Sequence, residues 1–369
     1  MSTSAEEVTV ERVTAAHEAA VAAFVAAHPQ RGPGHCRALA AVEAALGHRD
    51  ESVVAVADGR VLGFAPARWI EGRTLRVLRH GRLAGGGLVG CGPLVSQSLG
   101  ASARRDVLGA LVDALRQRGG ALGARGLSWM LPGFAEGEAG LAASTVSLMD
   151  DVLAAGGRLS LSPGLLLDLS ASEEELLRGV QANTRRLIRK AETVEVRATS
   201  VEGDEARAVV EQLADAAGSA FGGVAGASRA LAAVARAVAA PAGHGDGTGA
   251  LFVTAVRDGA GAVLSAVVTA EANGLAYYFL SFNTEAALGK NANPVGLWAA
   301  ILAARSRGHS RFLLGSLEYG VGKSAQISAF KRKFGGQPVF APVAQWAIKP
   351  GLDARDGLLT ALASGLRRR

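Results

Sequence analysis

Two spacings of apolar residues alternate along the chain: steps of three and four, which line one face of a helix, and short apolar runs that suit strands. Helical spacing occupies residues 14–27 and 36–46, on either side of the break His28-Pro29-Gln30-Arg31-Gly32-Pro33-Gly34. The period then shortens. Apolar runs at 52–57 and 61–65 flank Asp58-Gly59, a dipeptide that favours a tight hairpin turn. Further strands are predicted at 74–79 and 88–95, a helix at 105–118 with Val107, Leu108, Leu111, Val112 and Leu115 on one face, and a strand at 127–131. The second half repeats this order. Runs at 251–256 and 262–270 flank Asp258-Gly259, and Asn273-Gly274 turns into a strand at 275–280. Asn293-Pro294 opens a helix whose face carries Val295, Leu297, Trp298, Ile301 and Leu302, Gly308 closes it, and a strand follows at 311–314. The recurrence, roughly 200 residues on, predicts an α/β (α+β) chain of two copies, each a mixed sheet flanked by helices. The expected units are 1–155, 156–350 and a basic C-terminal tail at 351–369.

Between the copies, 159–169 reads as a strand, and Ser172 with Glu175 forms a capping box that opens a helix to about residue 192. Leu176, Val180, Leu187, Ile188 and Ala191 make its apolar stripe; Arg178, Arg185 and Arg189, with Arg186 and Lys190 beside them, make a basic ridge. Such a ridge is either a solvated face or a phosphate contact. Residues 218–250 read as loops around an alanine-rich helix. Near the end of the chain, Ser324 is placed to cap a short helix, Ile327, Phe330 and Phe334 form its stripe, and Gly335 ends it. Lys331 leaves that helix at the stripe's edge. Its ammonium either snorkels to water or, half-buried, stabilises an oxyanion.

Composition narrows the functional classes. With 369 residues and 49% hydrophobic content there is material for two cores. The net charge of +6 favours anionic partners, although the predominance of arginine over lysine also follows from genomic base composition. Cys36 and Cys91 are the two cysteines, and the seven histidines lack ligand spacing, so no metal centre is expected. No apolar run spans a bilayer and no leader pattern opens the chain, so a cytoplasmic protein is expected. A Gly-x-Ser-x-Gly elbow is absent, and no Ser-His-Asp or Cys-His set can be assembled.

An ordered set of motifs resembles the FemAB-type transferases over roughly residues 50 to 345. It comprises Cys91-Gly92-Pro93-Leu94-Val95, Trp129-Met130-Leu131-Pro132, the stretch from Asn183 to Glu192, Asn293-Pro294 through Arg307-Gly308, Gly315-Ser316-Leu317-Glu318-Tyr319-Gly320, and Phe330-Lys331-Arg332-Lys333-Phe334-Gly335-Gly336. The resemblance implies two tandem GNAT-like domains and transfer of an aminoacyl group from aminoacyl-tRNA to an amine, forming a peptide or amide bond. It also implies that Lys331, beside Phe330, stabilises the oxyanion, with Tyr277, Tyr278, Asn293, Glu318 and Tyr319 shaping the site. The chain lacks the long heptad arm of the lipid-linked, bridge-forming members. The acceptor is therefore a small amine, an amino acid, a natural-product intermediate or a peptidyl cell-wall precursor.

The donor is weighed by its phosphates. Leu288-Gly289-Lys290-Asn291-Ala292-Asn293-Pro294 departs from the glycine-rich loop that holds coenzyme A, and Pro294 removes an N–H; Gln97-Ser98-Leu99-Gly100-Ala101-Ser102 in the first copy is closer to it. Aminoacyl-tRNA is expected as co-substrate, meeting Arg178, Arg185, Arg186, Arg189 and Lys190, with no DNA partner and no further cofactor; acyl-CoA is the alternative donor. Direct attack by the amine is expected, the proton going to Glu318, to a tyrosine or to the substrate. A non-catalytic anion- or RNA-binding module is the remaining alternative.

Overall fold

The computed structural model of the chain describes residues 8–74, 78–85, 89–131, 143–191, 195–213, 227–239 and 247–348. The first half runs β1 (Thr9–Arg12), α1 (Glu18–Ala27), α2 (Arg37–Ala45), β2 (Arg49–Asp50), β3 (Val53–Ala57), β4 (Arg60–Ala65), β5 (Arg68–Thr74), β6 (Leu78–Ala84), β7 (Leu94–Val95), α3 (Ala101–Leu122), β8 (Ala124–Met130) and α4 (Ala143–Ala154). The second runs β9 (Arg158–Asp168), α5 (Glu173–Gly179), α6 (Ala182–Lys190), β10 (Arg197–Val201), α7 (Gly203–Gln212), α8 (Ala227–Ala239), β11 (Ala250–Arg257), β12 (Val263–Ala272), β13 (Leu275–Asn283), α9 (Glu285–Gly289), α10 (Ala292–Ser306), β14 (Arg311–Ser316), α11 (Lys323–Arg332) and β15 (Gln337–Ala347). Pro132 and Glu192 of the motifs, the loops at 218–226 and 240–246, and the tail at 351–369 lie outside the described residues.

The turn signals resolve differently in the two halves. Asp58 (φ +47°) and Gly59 (φ +72°) both enter the left-handed region, as do Asn273 (φ +50°) and Gly274 (φ +72°), and each pair closes a two-residue hairpin. Asp258-Gly259 does not. Its loop runs to Ala262, and the Asp258 carboxylate accepts the N–H groups of Ala260 and Ala262 at 3.1 and 3.0 Å.

Three helix boundaries also shift. The 172–192 segment is two helices, because Val180 leaves helical geometry (ψ 138°) while its side chain stays buried and keeps the apolar period going. Ser172 caps the first of them as expected. The arginines are thus divided, with Arg178 on α5 and the others on α6, and Arg185 Nη1 donates to the Arg178 carbonyl at 3.0 Å across the break. The cap of α10 is Asn291 (φ +54°), which puts Asn293 inside the first turn. Gly322 rather than Ser324 precedes α11, whereas Gly335 (φ +78°) ends that helix region as expected.

The strands of the described residues form two sheets. A four-stranded sheet has the order β1-β3-β4-β7, and an eleven-stranded sheet has the order β10-β11-β12-β13-β14-β9-β15-β8-β6-β5-β2. The second sheet crosses from one half to the other. Strand β15, from the end of the chain, lies antiparallel between β9 and β8 and places Ala344 and Trp346 in the first half's core with Leu83, Leu111 and Leu127. Trp346 meets Trp129 edge to face at 5.1 Å. The second half packs α7, α8 and α2 on one face of its strands and α5, α6 and α10 on the other.

Candidate functional site

A local irregularity opens the site. Strand β13 pairs with β14 in parallel only from Leu275 to Tyr277, opposite Arg311 to Leu313. Beyond that point β13 follows β12 through a bulge, and β14 slips register against β9 between Leu313 and Ser316. Gly315 makes the slip possible, with φ at +83°, a conformation that costs an L side chain about 1–2 kcal/mol. The strands therefore part at Tyr277. Beside the diverging end of β13 lies a cavity of about 510 Å³, walled by Tyr277 and Tyr278 of β13, Asn283 at its end, Asn293 of α10, and Phe330 and Lys331 of α11.

Helix α11 is fixed at both ends, which sets the position of Lys331. Ser328 Oγ accepts the Glu318 N–H at 2.8 Å and donates to the Ser324 carbonyl at 2.9 Å, tying the helix to the segment after β14. At the other end Gln181 N–H donates to the Lys333 carbonyl at 2.8 Å, and a side chain at Gly335 would collide with the Gly179 carbonyl, so the α5–α6 break receives the helix terminus. Phe334 is fully buried and stacks edge to face on Phe330 at 5.3 Å. Lys331 is half-buried at the edge of this stripe.

The Lys331 ammonium donates to the Ser316 carbonyl at 3.2 Å and lies 5.8 Å from the centre of the Tyr278 ring. Burial lowers its pKa to about 8, against the opposing pull of the Glu318 carboxylate. Tyr278 donates to Ser281 Oγ at 2.8 Å. The Tyr277 hydroxyl makes no hydrogen bond among the described residues, and burial raises its pKa, so it keeps its proton at neutral pH. The two donors converge. A Cβ on Gly315 would lie 3.0 Å from Lys331 Nζ and 3.1 Å from Tyr277 Oη. A small space bounded by an ammonium, a phenol and bare backbone suits an oxygen that gains negative charge.

Other polar groups complete the wall. The side-chain oxygens of Asn283 and Asn293 are buried and accept no hydrogen bond, an unsatisfied pair facing one cavity. Glu318 and Tyr319 are exposed; the Tyr319 ring packs under Arg332 (5.5 Å) rather than on the cavity wall. Of the basic residues, Arg186, Arg189 and Lys190 are exposed on α6, and Arg186 also reaches Asn183 Oδ1 at 3.1 Å. Helix α6 packs on α10: Ala191 shares a core cluster with Ala292 and Val295, and Ile188 shares another with Leu297. The basic helix thus borders the helix whose first turn supplies Asn293. Asn283 was not among the residues singled out from the sequence, and Gly315 and Ser316, quoted there within a motif, were given no role of their own. Among the described residues no group of three His, Cys, Asp or Glu side chains is placed to hold a metal, and no helix is long and apolar enough to cross a membrane.

Residues 178–332 match the Acetyltransferase (GNAT) domain family. No curated protein matches the chain in sequence. In structure the chain is similar to FemX, with a TM-score of 0.61 and 13% identity over 90% of this chain and 96% of that one. It is similar also to the C-terminal domain (DUF2156) of a putative lysylphosphatidylglycerol synthetase from Agrobacterium fabrum, with a TM-score of 0.53 and 13% identity over 94% and 96% of the two chains. A tandem GNAT protein from the clavulanic acid biosynthesis pathway gives a TM-score of 0.51 and 14% identity over 94% and 100%. At such identities the likeness is one of fold, and the fold is the one that the motif order implied.

Proposed function

We propose that the chain, whose fold is similar to that of FemX and of a tandem GNAT protein and whose residues 178–332 match the acetyltransferase (GNAT) domain family, forms an amide bond by moving an aminoacyl group from aminoacyl-tRNA to an amine. The observation that carries this reading is the convergence of Lys331 Nζ and Tyr277 Oη on the empty side of Gly315. The amine nitrogen attacks the ester carbonyl carbon, and the carbonyl oxygen becomes an oxyanion between the two donors. The ester C–O bond then breaks, the amide C–N bond remains, and the proton lost by nitrogen ends on the departing ribose oxygen. No covalent enzyme intermediate is needed. Cys91, on a cavity wall, donates its thiol hydrogen to the Gly85 carbonyl and has its pKa raised by burial.

Two features favour an aminoacyl donor over acetyl-CoA. The unpaired oxygens of Asn283 and Asn293 suit the N–H groups of an α-ammonium, which an acetyl group lacks. The exposed cations of α6 lie on the helix that packs against α10, which supplies Asn293 to the cavity, whereas the pocket at the loop before α3 has only about 30 Å³ of free space, lined by Arg104 and Asp151. Gln97 there is engaged with Gln30 at 3.3 Å.

The test offers purified protein total charged tRNA and a panel of acyl-CoAs in parallel, with a mixture of amines, and reads amide products by mass spectrometry. Wild type should consume charged tRNA, bind it more weakly as salt rises, and lose at least about 100-fold in turnover as Lys331→Ala while keeping tRNA affinity. Products formed from acyl-CoA with no tRNA retention would overturn the donor; product formation unchanged in Lys331→Ala would overturn the mechanism.

A further inference from the structure

Tyr277 has a second cavity on its other side. This one measures about 80 Å³ and lies on the face of β13 that carries Leu275 and Tyr277, against the first half of the chain. Leu275 and Leu313 form one wall; Leu131, Val89, Pro33 and Ala341 close it from the first half and from β15. Among the described residues no Asp, Glu, Lys or Arg lines it. His35 is neutral, its pKa lowered to about 4 by burial, and both ring nitrogens are used: Nδ1 accepts the Gly32 N–H at 3.1 Å and Nε2 meets the Gly92 carbonyl at 3.0 Å. Besides the Tyr277 hydroxyl, Gln30 on the wall has a polar atom left over. Gln30 Nε2 is buried and donates to nothing.

A direct transfer needs both reactants present together, so the second must approach while the first fills its own site. The aminoacyl end of the donor occupies the 510 Å³ cavity, whose wall includes Lys331 and Asn293. The small cavity shares Tyr277 with it, and Tyr277 is also the wall beside Gly315. We infer that the small cavity is the acceptor subsite, and that it takes the short aliphatic body of an uncharged primary amine bearing one neutral oxygen. The amine nitrogen reaches past the Tyr277 ring to the carbonyl held at Gly315, and the neutral oxygen accepts from Gln30 Nε2. Size and charge set the class. A dry cavity of about 150 Å³ holds benzene, so half that volume holds about three or four carbons. A phosphate or carboxylate placed here would lose its hydration with no cation to replace it. This inference rests on the acyl-transfer reading for its role and on the cavity for its chemistry.

Saturation-transfer NMR and calorimetry, without any donor, test it with L-alaninamide, L-valinamide, L-leucinamide and phosphoethanolamine. Alaninamide and valinamide should bind at least tenfold more tightly than phosphoethanolamine. Ala341→Leu, which fills the cavity, should weaken valinamide at least tenfold and leave charged-tRNA affinity unchanged. Leu313→Ala, which enlarges the cavity, should shift preference towards leucinamide, and it serves if the filling variant does not fold. Absent amide binding, equal or tighter binding of phosphoethanolamine, or unchanged preference in the variants overturns the subsite. Binding is read here without turnover. A protein that binds the amides as expected and transfers nothing loses the acyl-transfer reading alone; one that transfers to phosphoethanolamine as readily as to valinamide loses the subsite alone.

Discussion

Gly315→Ala separates two costs that usually come together. The first is backbone strain: φ is +83°, so alanine should lose about 1–2 kcal/mol of folding stability and a few degrees of Tm. The second is local to the reaction. The new Cβ would stand 3.0 Å from Lys331 Nζ and 3.1 Å from Tyr277 Oη, closer than ordinary contact, in the space assigned to the oxyanion. Both donors end flexible or rotatable groups, so the fold yields and the site is lost. Removal of one oxyanion donor costs about 2.7–4 kcal/mol, or 10²–10³ in kcat, and displacing two should cost at least that. Gly308→Ala is the control, since Gly308 has φ at +86° and a Cβ there would meet nothing within 4 Å. It should show a similar loss of Tm with kcat retained. Differential scanning calorimetry and single-turnover amide formation measure the two quantities. Normal kcat in Gly315→Ala, or an equal loss in Gly308→Ala, would refute the argument.

Two predictions follow from titrating groups. With the Lys331 pKa lowered to about 8, kcat should fall as pH rises through about 8 on a one-proton limb, and Lys331→Arg, which stays charged, should lack that limb. Stability moves the other way: the unfolded chain holds the Lys331 proton more tightly, so folding should gain between about pH 8 and 10.5, a gain that equilibrium unfolding of Lys331→Met should lack. Glu271 is buried, which alone would raise its pKa, but His309 Nε2 at 2.6 Å and Arg307 at 2.6 and 2.9 Å lower it to about 2. Its stabilisation, about 3 kcal/mol for a shift of that size, is present above about pH 4.5 and lost as pH falls towards 2. Glu271→Gln should therefore unfold at lower urea than wild type at pH 7, with the gap closing below pH 4.5; a gap independent of pH would exclude the ion cluster as its cause.

What the sequence could and could not reveal follows from how local each feature is. The Asp58-Gly59 and Asn273-Gly274 turns were readable because two residues suffice to set them. The edge position of Lys331 was readable from the spacing of Ile327, Phe330 and Phe334. Strand β15 was not, because Pro338 and Pro342 argue against a central strand, yet it pairs on both sides along much of its length. The break at Val180 was hidden by the side chain itself, which is buried in step with the helical period although its backbone is extended. The cap of α10 was misplaced because Asn291 and Asn293 both suit a cap, and only the left-handed φ of Asn291 decides. Asn283 belongs to no motif, and the motif that Gly315 opens does not announce its role; the meaning of both comes from where β13 and β14 part company.

That parting is held in place by the other half of the chain. Strand β9 lies between β14 and β15, and its Gly164 pairs with both Ser316 and Val339. The Leu317 N–H donates to the Pro163 carbonyl at 2.8 Å, just past the bend at Gly315. A Cβ at Gly164 would lie 3.4 Å from the Gly315 carbonyl oxygen, so the bend is backed closely by β9. Strand β9 in turn is braced by β15, whose far end is anchored in the first half by Trp346 against Trp129. The strands that position Gly315 are thus one layer with the first half's core, and the small cavity beside Tyr277 is closed by residues of that same layer and half. The turn at 155/156 joins α4 to β9, and the strands on its two sides belong to one sheet. The second copy carries Lys331 and Tyr277, but the backbone that spaces them is set by both.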